Sequence, residues 1–115
     1  MSALVRRLVY VSGIVDFEDK PPLLRCTGDE DRTTQGRRRR ALVRAFRAQA
    51  DVTVDLTGLV FADTSLIVDL AVLSRRLRRQ GRAILLRGAQ PQILTLIEMV
   101  GLDRLPGVRL ELTAA

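Results

Sequence analysis

The stretch DVTVDLTGLVFADTSLIVDLAVLSRRLRRQG, residues 51–81, decides the fold because its hydrophobic period changes partway along. Val52, Val54 and Leu56 alternate with Thr53 and Asp55, which is the two-residue period of a strand. Asp55 is placed to tie down the turn at Thr57-Gly58 by local hydrogen bonding. Leu59-Val60-Phe61 continues the apolar character. From Asp63-Thr64-Ser65 onward the spacing becomes helical, with Leu66, Ile67, Leu70, Leu73 and Leu77 on one stripe. Asp63 and Thr64 are both preferred helix N-caps. Arg75, Arg76, Arg78 and Arg79 fill the last turns, where the helix dipole favours cations, and Gly81 stops the helix. Asp69 reads as the exposed edge of the stripe, with Arg76 two turns on.

The same alternation extends in both directions. Ala83-Ile84-Leu85-Leu86 is a near-continuous apolar run that suits a central parallel strand. Pro91 opens another helix, with Ile93, Leu94, Leu96, Ile97 and Val100 as its apolar face and Gly101 as its end. Val108 to Leu112 alternates strictly and predicts a half-exposed last strand. Upstream, Ala41, Leu42, Ala45 and Phe46 share one face of a helix over Arg37 to Ala48, with Thr33 or Thr34 as its cap. Arg37, Arg40, Arg44 and Arg47 fall on the other face. Leu8 to Ile14 reads as a first strand, Asp16 to Pro22 as a polar turn, and Leu23 to Thr27 as a second strand closed by Gly28. The order β-β-α-β-α-β-α-β predicts one α/β domain over residues 1–115, with a mostly parallel central sheet of four to five strands and right-handed crossovers. Three helices suffice to cover mainly one face of the sheet; the other face is then polar or part of an interface.

Composition narrows the function. The chain has 115 residues, 47% hydrophobic and 28% charged, which is ordinary for one globular domain. It has no histidine and one cysteine, Cys26, so imidazole metal sites, Ser-His-Asp or Cys-His catalysis and an internal disulfide are excluded. Cys26 reads as a small buried hydrophobe. Lys20 is the sole lysine, which removes Schiff-base and P-loop chemistry and the late-strand lysine that would let Asp55 act as a phospho-acceptor. The longest apolar region, Leu56 to Leu73, is interrupted by Asp63 and Asp69, so no membrane span is expected. Met1 to Val15 reads as strand and not as a signal peptide, and a cytoplasmic location with a reduced thiol is the expectation. The net charge of +6 raises a nucleic-acid reading. With three Phe, one Tyr and no Trp there is no stacking platform for single strands, so weak, sequence-independent binding is the most it implies. The run Arg37 to Arg40 wraps its helix at about 100° per residue. It reads as a solvated face, or as a docking patch for an acidic partner, phosphate or lipid head groups.

Three stretches together resemble one family. Leu24-Arg25-Cys26-Thr27-Gly28-Asp29-Glu30-Asp31 looks like its strand followed by Gly-Glu-Leu-Asp. Val52 to Ser65 looks like its apolar strand, Asp-Leu, and Phe-x-Asp-Ser-Ser junction. Arg82 to Leu86, Pro91-Gln92-Ile93-Leu94 and Val100-Gly101-Leu102-Asp103 are similar to its closing strand and helix. The family is the STAS domain, of the anti-sigma factor antagonist type, and the resemblance spans about Leu23 to Leu112. It implies a non-catalytic protein-binding switch in transcription regulation. In the family the hydroxyl residue after the Asp is phosphorylated by the partner, a serine/threonine kinase of GHKL type that is also the anti-sigma factor. The unphosphorylated form sequesters that partner and frees sigma. Carried over, the phosphorylation site is Thr64, with Ser65 as second choice, and the partner-binding set is Asp29, Asp31, Asp63, Thr64, Ser65, Leu66 and Ile67. No cofactor and no metal are implied, and a homodimer is left open. Where the family usually has Gly-Leu-Gly after the hydroxyl pair, this chain has Leu66-Ile67-Val68, which would offer an apolar docking surface. Two alternatives stand beside this reading. One is a non-catalytic STAS subunit of a larger assembly, such as a stressosome-like scaffold or a lipid-trafficking ABC transporter complex. The other is a basic nucleic-acid-binding module.

Overall fold

The computed structural model of the chain describes residues 13–111. The elements run β1 (Ile14–Asp19), β2 (Pro22–Glu30), α1 (Gln35–Phe46), β3 (Val52–Asp55), β4 (Leu59–Ala62), α2 (Thr64–Arg78), β5 (Ile84–Arg87), α3 (Pro91–Val100) and β6 (Val108–Glu111). Short 3₁₀ turns at Arg32–Thr34 and Leu102–Arg104 lead into α1 and β6. The sheet has six strands in the order β1-β2-β3-β5-β6, with β4 also paired to β2. Only β1–β2 is antiparallel; every other pair is parallel. The architecture is thus the mostly parallel α/β sheet expected, with β4 as an additional short strand after the Thr57-Gly58 turn.

Two period-2 patterns explain how the sheet divides inside from outside. Leu24, Cys26, Val52, Val54, Ile84 and Leu86 point one way and are buried, together with the α2 stripe of Leu66, Ile67, Leu70, Leu73 and Leu77. The alternate residues point the other way, with Leu23, Thr53 and Leu85 uncharged and Arg25, Asp55 and Arg87 charged. The strand register aligns Arg25, Asp55, Arg87 and Glu111 in one row. Arg25 lies 3.3 Å from Glu18 and 3.9 Å from Asp55, and Arg87 lies 3.3 Å from Glu111. One row of the open face is therefore a ladder of alternating charges, beside a mostly uncharged row of Leu23, Thr53, Leu85 and Arg109.

The opening of the chain corrects the sequence reading. The expected strand at Leu8 to Ile14 lies outside the described residues except for its last two positions. The expected turn at Asp16 to Pro22 is mostly strand, β1, whose inward Val15 and Phe17 alternate with outward Asp16, Glu18 and Asp19. Acidic residues on the wet face of an edge strand imitate a turn in the sequence. Gly28 does not close β2 either. With φ +72° it allows a register shift between Gly28 and Asp29, and the strand then continues to Glu30 beside β4. In α3, Ile93 and Ile97 are buried as expected, but Val100 is exposed.

Candidate functional site at the start of α2

β4 ends at Ala62, and the Asp63 N–H donates to the Glu30 carbonyl at 3.0 Å, fastening the β4–α2 junction to the end of β2. Asp63 is the extended N-cap residue of α2. Its Oδ1 accepts the Ser65 N–H at 2.9 Å and the Ser65 hydroxyl at 2.5 Å, and its Oδ2 accepts the Arg32 N–H at 3.0 Å. Partial desolvation would raise the Asp63 pKa, but the Ser65 and Arg32 hydrogen bonds and the Arg38 charge outweigh it, so the carboxyl sits below its ordinary value. Asp31 caps the preceding 3₁₀ turn in the same way. It accepts the Thr33 N–H at 2.8 Å and the Thr33 hydroxyl at 2.5 Å, which lower its pKa. The expected cap role of Thr34 is different: its hydroxyl accepts the Asp31 N–H at 3.0 Å and completes a capping box.

Arg38 holds these pieces together, and the sequence reading missed it. Read as one of a solvated run of four, it is only 1% exposed. Its Nη1 donates to Glu30 at 3.3 Å and to the Asp31 carbonyl at 3.0 Å, its Nε to Asp69 at 2.8 Å, and its Nη2 to the Ser65 Oγ at 2.9 Å. One guanidinium thus ties β2, α1 and α2 together using its planar fork of donors. Asp69 consequently has a different partner from the one expected: it pairs with Arg38 and not with Arg76, which instead stacks over the Phe46 ring at 4.6 Å. Glu30 is also 1% exposed, and burial raises its pKa against the opposing Thr34 hydrogen bond and Arg38 charge. The signal that could have found Arg38 was Asp69, an acid inside an apolar stripe with no local partner.

The two hydroxyls at the junction differ sharply. Ser65 is engaged as donor to Asp63 and acceptor from Arg38. Thr64 is exposed, and among the described residues no hydrogen bond engages its side chain. Asp29, Asp31 and Asp63 lie at this end of the domain, on β2 and on the two caps. Leu66 and Ile67 require correction as docking residues: they are 0% and 1% exposed and belong to the core. The apolar surface near Thr64 is instead Val60 and Phe61 on β4 and Val68 on α2, each at least half exposed. Asp55 accepts the Thr57 N–H at 3.0 Å and fixes the turn as expected. Cys26 is fully buried, and desolvation pushes its thiol up to about 12.

Among the described residues, no group of histidine, cysteine or carboxylates could hold a metal ion, and no helix is long and apolar enough to cross a membrane. A family model described as "Mlab, STAS domain" matches residues 14–111. No curated protein matches the chain. Among solved structures, an anti-sigma-factor antagonist (STAS) domain protein from Planctomyces limnophilus is similar in fold. The TM-score is 0.70 at 18% identity, over 88% of this chain and 91% of that one.

Proposed function

The chain belongs to the STAS domain family, and from that premise we propose that it is an anti-sigma factor antagonist that works by binding and not by catalysis. Its partner in this reading is an anti-sigma factor that is also a serine/threonine kinase of GHKL type. The docking surface is the start of α2, with Asp29, Asp31, Asp63 and Thr64 as its polar part and Val60, Phe61 and Val68 as its apolar part. The observation that carries the reading is the contrast between the two hydroxyls: Thr64 is exposed and unengaged, whereas Ser65 is held between Asp63 and Arg38. A phosphate on Thr64 adds about −1.5 to −2 charges at a helix N-terminus, where the dipole tolerates anions, so the domain stays folded. Inside an interface the same dianion is desolvated beside Asp63, and binding is lost.

The test is incubation with the kinase partner and ATP, followed by mass-spectrometric site mapping. Phosphate on Thr64 and none on Ser65 is expected. Phosphate on Ser65, or on neither, contradicts the switch. An unmodified chain would favour the second reading, a non-catalytic STAS subunit of a larger assembly. The open face of the sheet, with its exposed ladder of charges, is the surface that favours that reading.

A further inference from the structure

The end of the domain opposite Thr64 carries a second surface. Because the strands are parallel, α1 and α2 finish where β3 and β5 begin, and the turn after α3 arrives there too. The Arg82 N–H donates to the Leu77 carbonyl, Val52 N–H to Ala83 and Ile84 N–H to Gly107, which brings these three connections into contact. A Cβ at Gly107 would come within 3.8 Å of the aliphatic stem of Arg78. A shallow cavity of about 210 Å³ separates α2 from the Leu105-Pro106 tip; Ala71, Ser74, Arg75 and Arg78 form its other wall.

Arg75, Arg78, Arg79 and Arg104 are exposed around this tip, and among the described residues none lies within ion-pair distance of a carboxylate. The acids at this end, Asp51, Glu98 and Asp103, form no ion pair with them. Asp51 is engaged by the Ala83 N–H at 2.9 Å, and Asp103 is half-buried, with its Oδ1 enclosed. The helix dipole accounts for cations in the last turn of α2. The guanidinium of Arg104 likewise lies beside Gly101, the C-cap of α3. The dipole does not account for Leu105, an apolar side chain 37% exposed that lines the cavity with Pro106 beside Arg75 and Arg78.

We infer that this end of the domain docks on an anionic phospholipid surface. The arginines meet the head-group phosphates, and Leu105 and Pro106 enter the boundary with the acyl chains. Charge alone would suit any polyphosphate. The apolar tip selects the membrane, since a phosphate-lined surface such as duplex DNA gives Leu105 nothing to bury against, whereas a bilayer interface receives both parts. The arrangement turns Asp63 and Thr64 away from the lipid. It stands independently of the proposed phosphorylation, because no residue is shared between the two surfaces.

The experiment is co-sedimentation of the 115-residue chain with vesicles of phosphatidylcholine alone or with about 30% phosphatidylserine, at about 0.1 M salt. Far-UV circular dichroism of every variant checks that it is folded. Binding to the anionic vesicles and not to the neutral ones is expected. The triple variant Arg75→Gln/Arg78→Gln/Arg79→Gln should lose about a hundredfold in affinity, at roughly fivefold per arginine. A control of equal charge at the other end, Arg32→Gln/Arg39→Gln/Arg40→Gln, should lose less than tenfold. Leu105→Ser should weaken binding roughly three- to tenfold. Absence of vesicle binding, equal loss in the two triple variants, an unaffected Leu105→Ser, or tighter binding to duplex DNA than to vesicles would each overturn the inference. Free inorganic phosphate at millimolar concentration should not compete, and competition by it would point to a soluble anion as the occupant.

Discussion

The two ends of this domain use the same side chain in opposite ways. At the end where α2 begins, a single arginine, Arg38, is withdrawn from water and surrounded by Glu30, Asp69, Ser65 and the Asp31 carbonyl. At the end where α2 finishes, Arg75, Arg78 and Arg79 are exposed with no carboxylate in reach among the described residues. A buried guanidinium is committed by geometry: each donor has a fixed acceptor, and removing it strands the charges it faced. An exposed guanidinium is free to meet something outside the chain. One end is therefore rigid beneath an exposed hydroxyl, and the other presents guanidinium groups that no carboxylate of the described residues engages.

The sharpest way to break this contrast is to remove one arginine from each end. Arg38→Ala leaves Glu30 buried without its cation and should cost about 3–5 kcal/mol in urea denaturation. Arg79→Gln should stay within about 0.5 kcal/mol of wild type. Similar losses from the two would erase the distinction. Next in size is the cap itself. Asp63→Ala removes the acceptor for the Ser65 and Arg32 N–H groups and should lower stability by about 1–2 kcal/mol. A Tm unchanged by that substitution would mean the junction is held without its cap.

A smaller effect sharpens the comparison through pH. The lowered pKa values of Asp31 and Asp63 mean that the folded chain binds fewer protons there than the unfolded chain. The stability they contribute is full above the ordinary aspartate value of 3.8 and is lost as pH falls below it. Glu30 has the opposite sign. Its raised pKa means that stability declines as pH rises above its ordinary 4.5. In thermal melts from pH 3 to 7, Asp63→Asn should lessen the acid loss, and Glu30→Gln should remove part of the decline above about 4.5. A Glu30→Gln curve parallel to wild type across that window would contradict the buried assignment.

The parts of the fold that were legible in the sequence are those written in local periodicity. The α2 stripe, its Asp63 cap, Pro91 at the head of α3 and the apolar run of β5 each carry their signal within a few residues. What the sequence hid depends on distant partners. Arg38 sits in a run of four arginines that looks uniform, and its acids are 8 and 31 residues away. Leu66 and Ile67 carry two readings, core residues by their helical spacing and docking residues by the family resemblance; burial decides for the core, while Val68 turns out. β1 was hidden by its charged outer face. At the site, the Asp63–Thr64–Ser65 junction was legible; that Arg38 engages Ser65 and leaves Thr64 free was not.

In the proposed function Thr64, seated on this rigid end, controls binding of an anti-sigma factor kinase. The most direct measurement is a calorimetric titration of that partner against wild type, Thr64→Ala and Thr64→Glu. Thr64→Ala should bind as wild type, while Thr64→Glu should bind at least tenfold more weakly, about 1.4 kcal/mol, with a Tm close to that of wild type. Equal affinity of Thr64→Glu and wild type would contradict the claim.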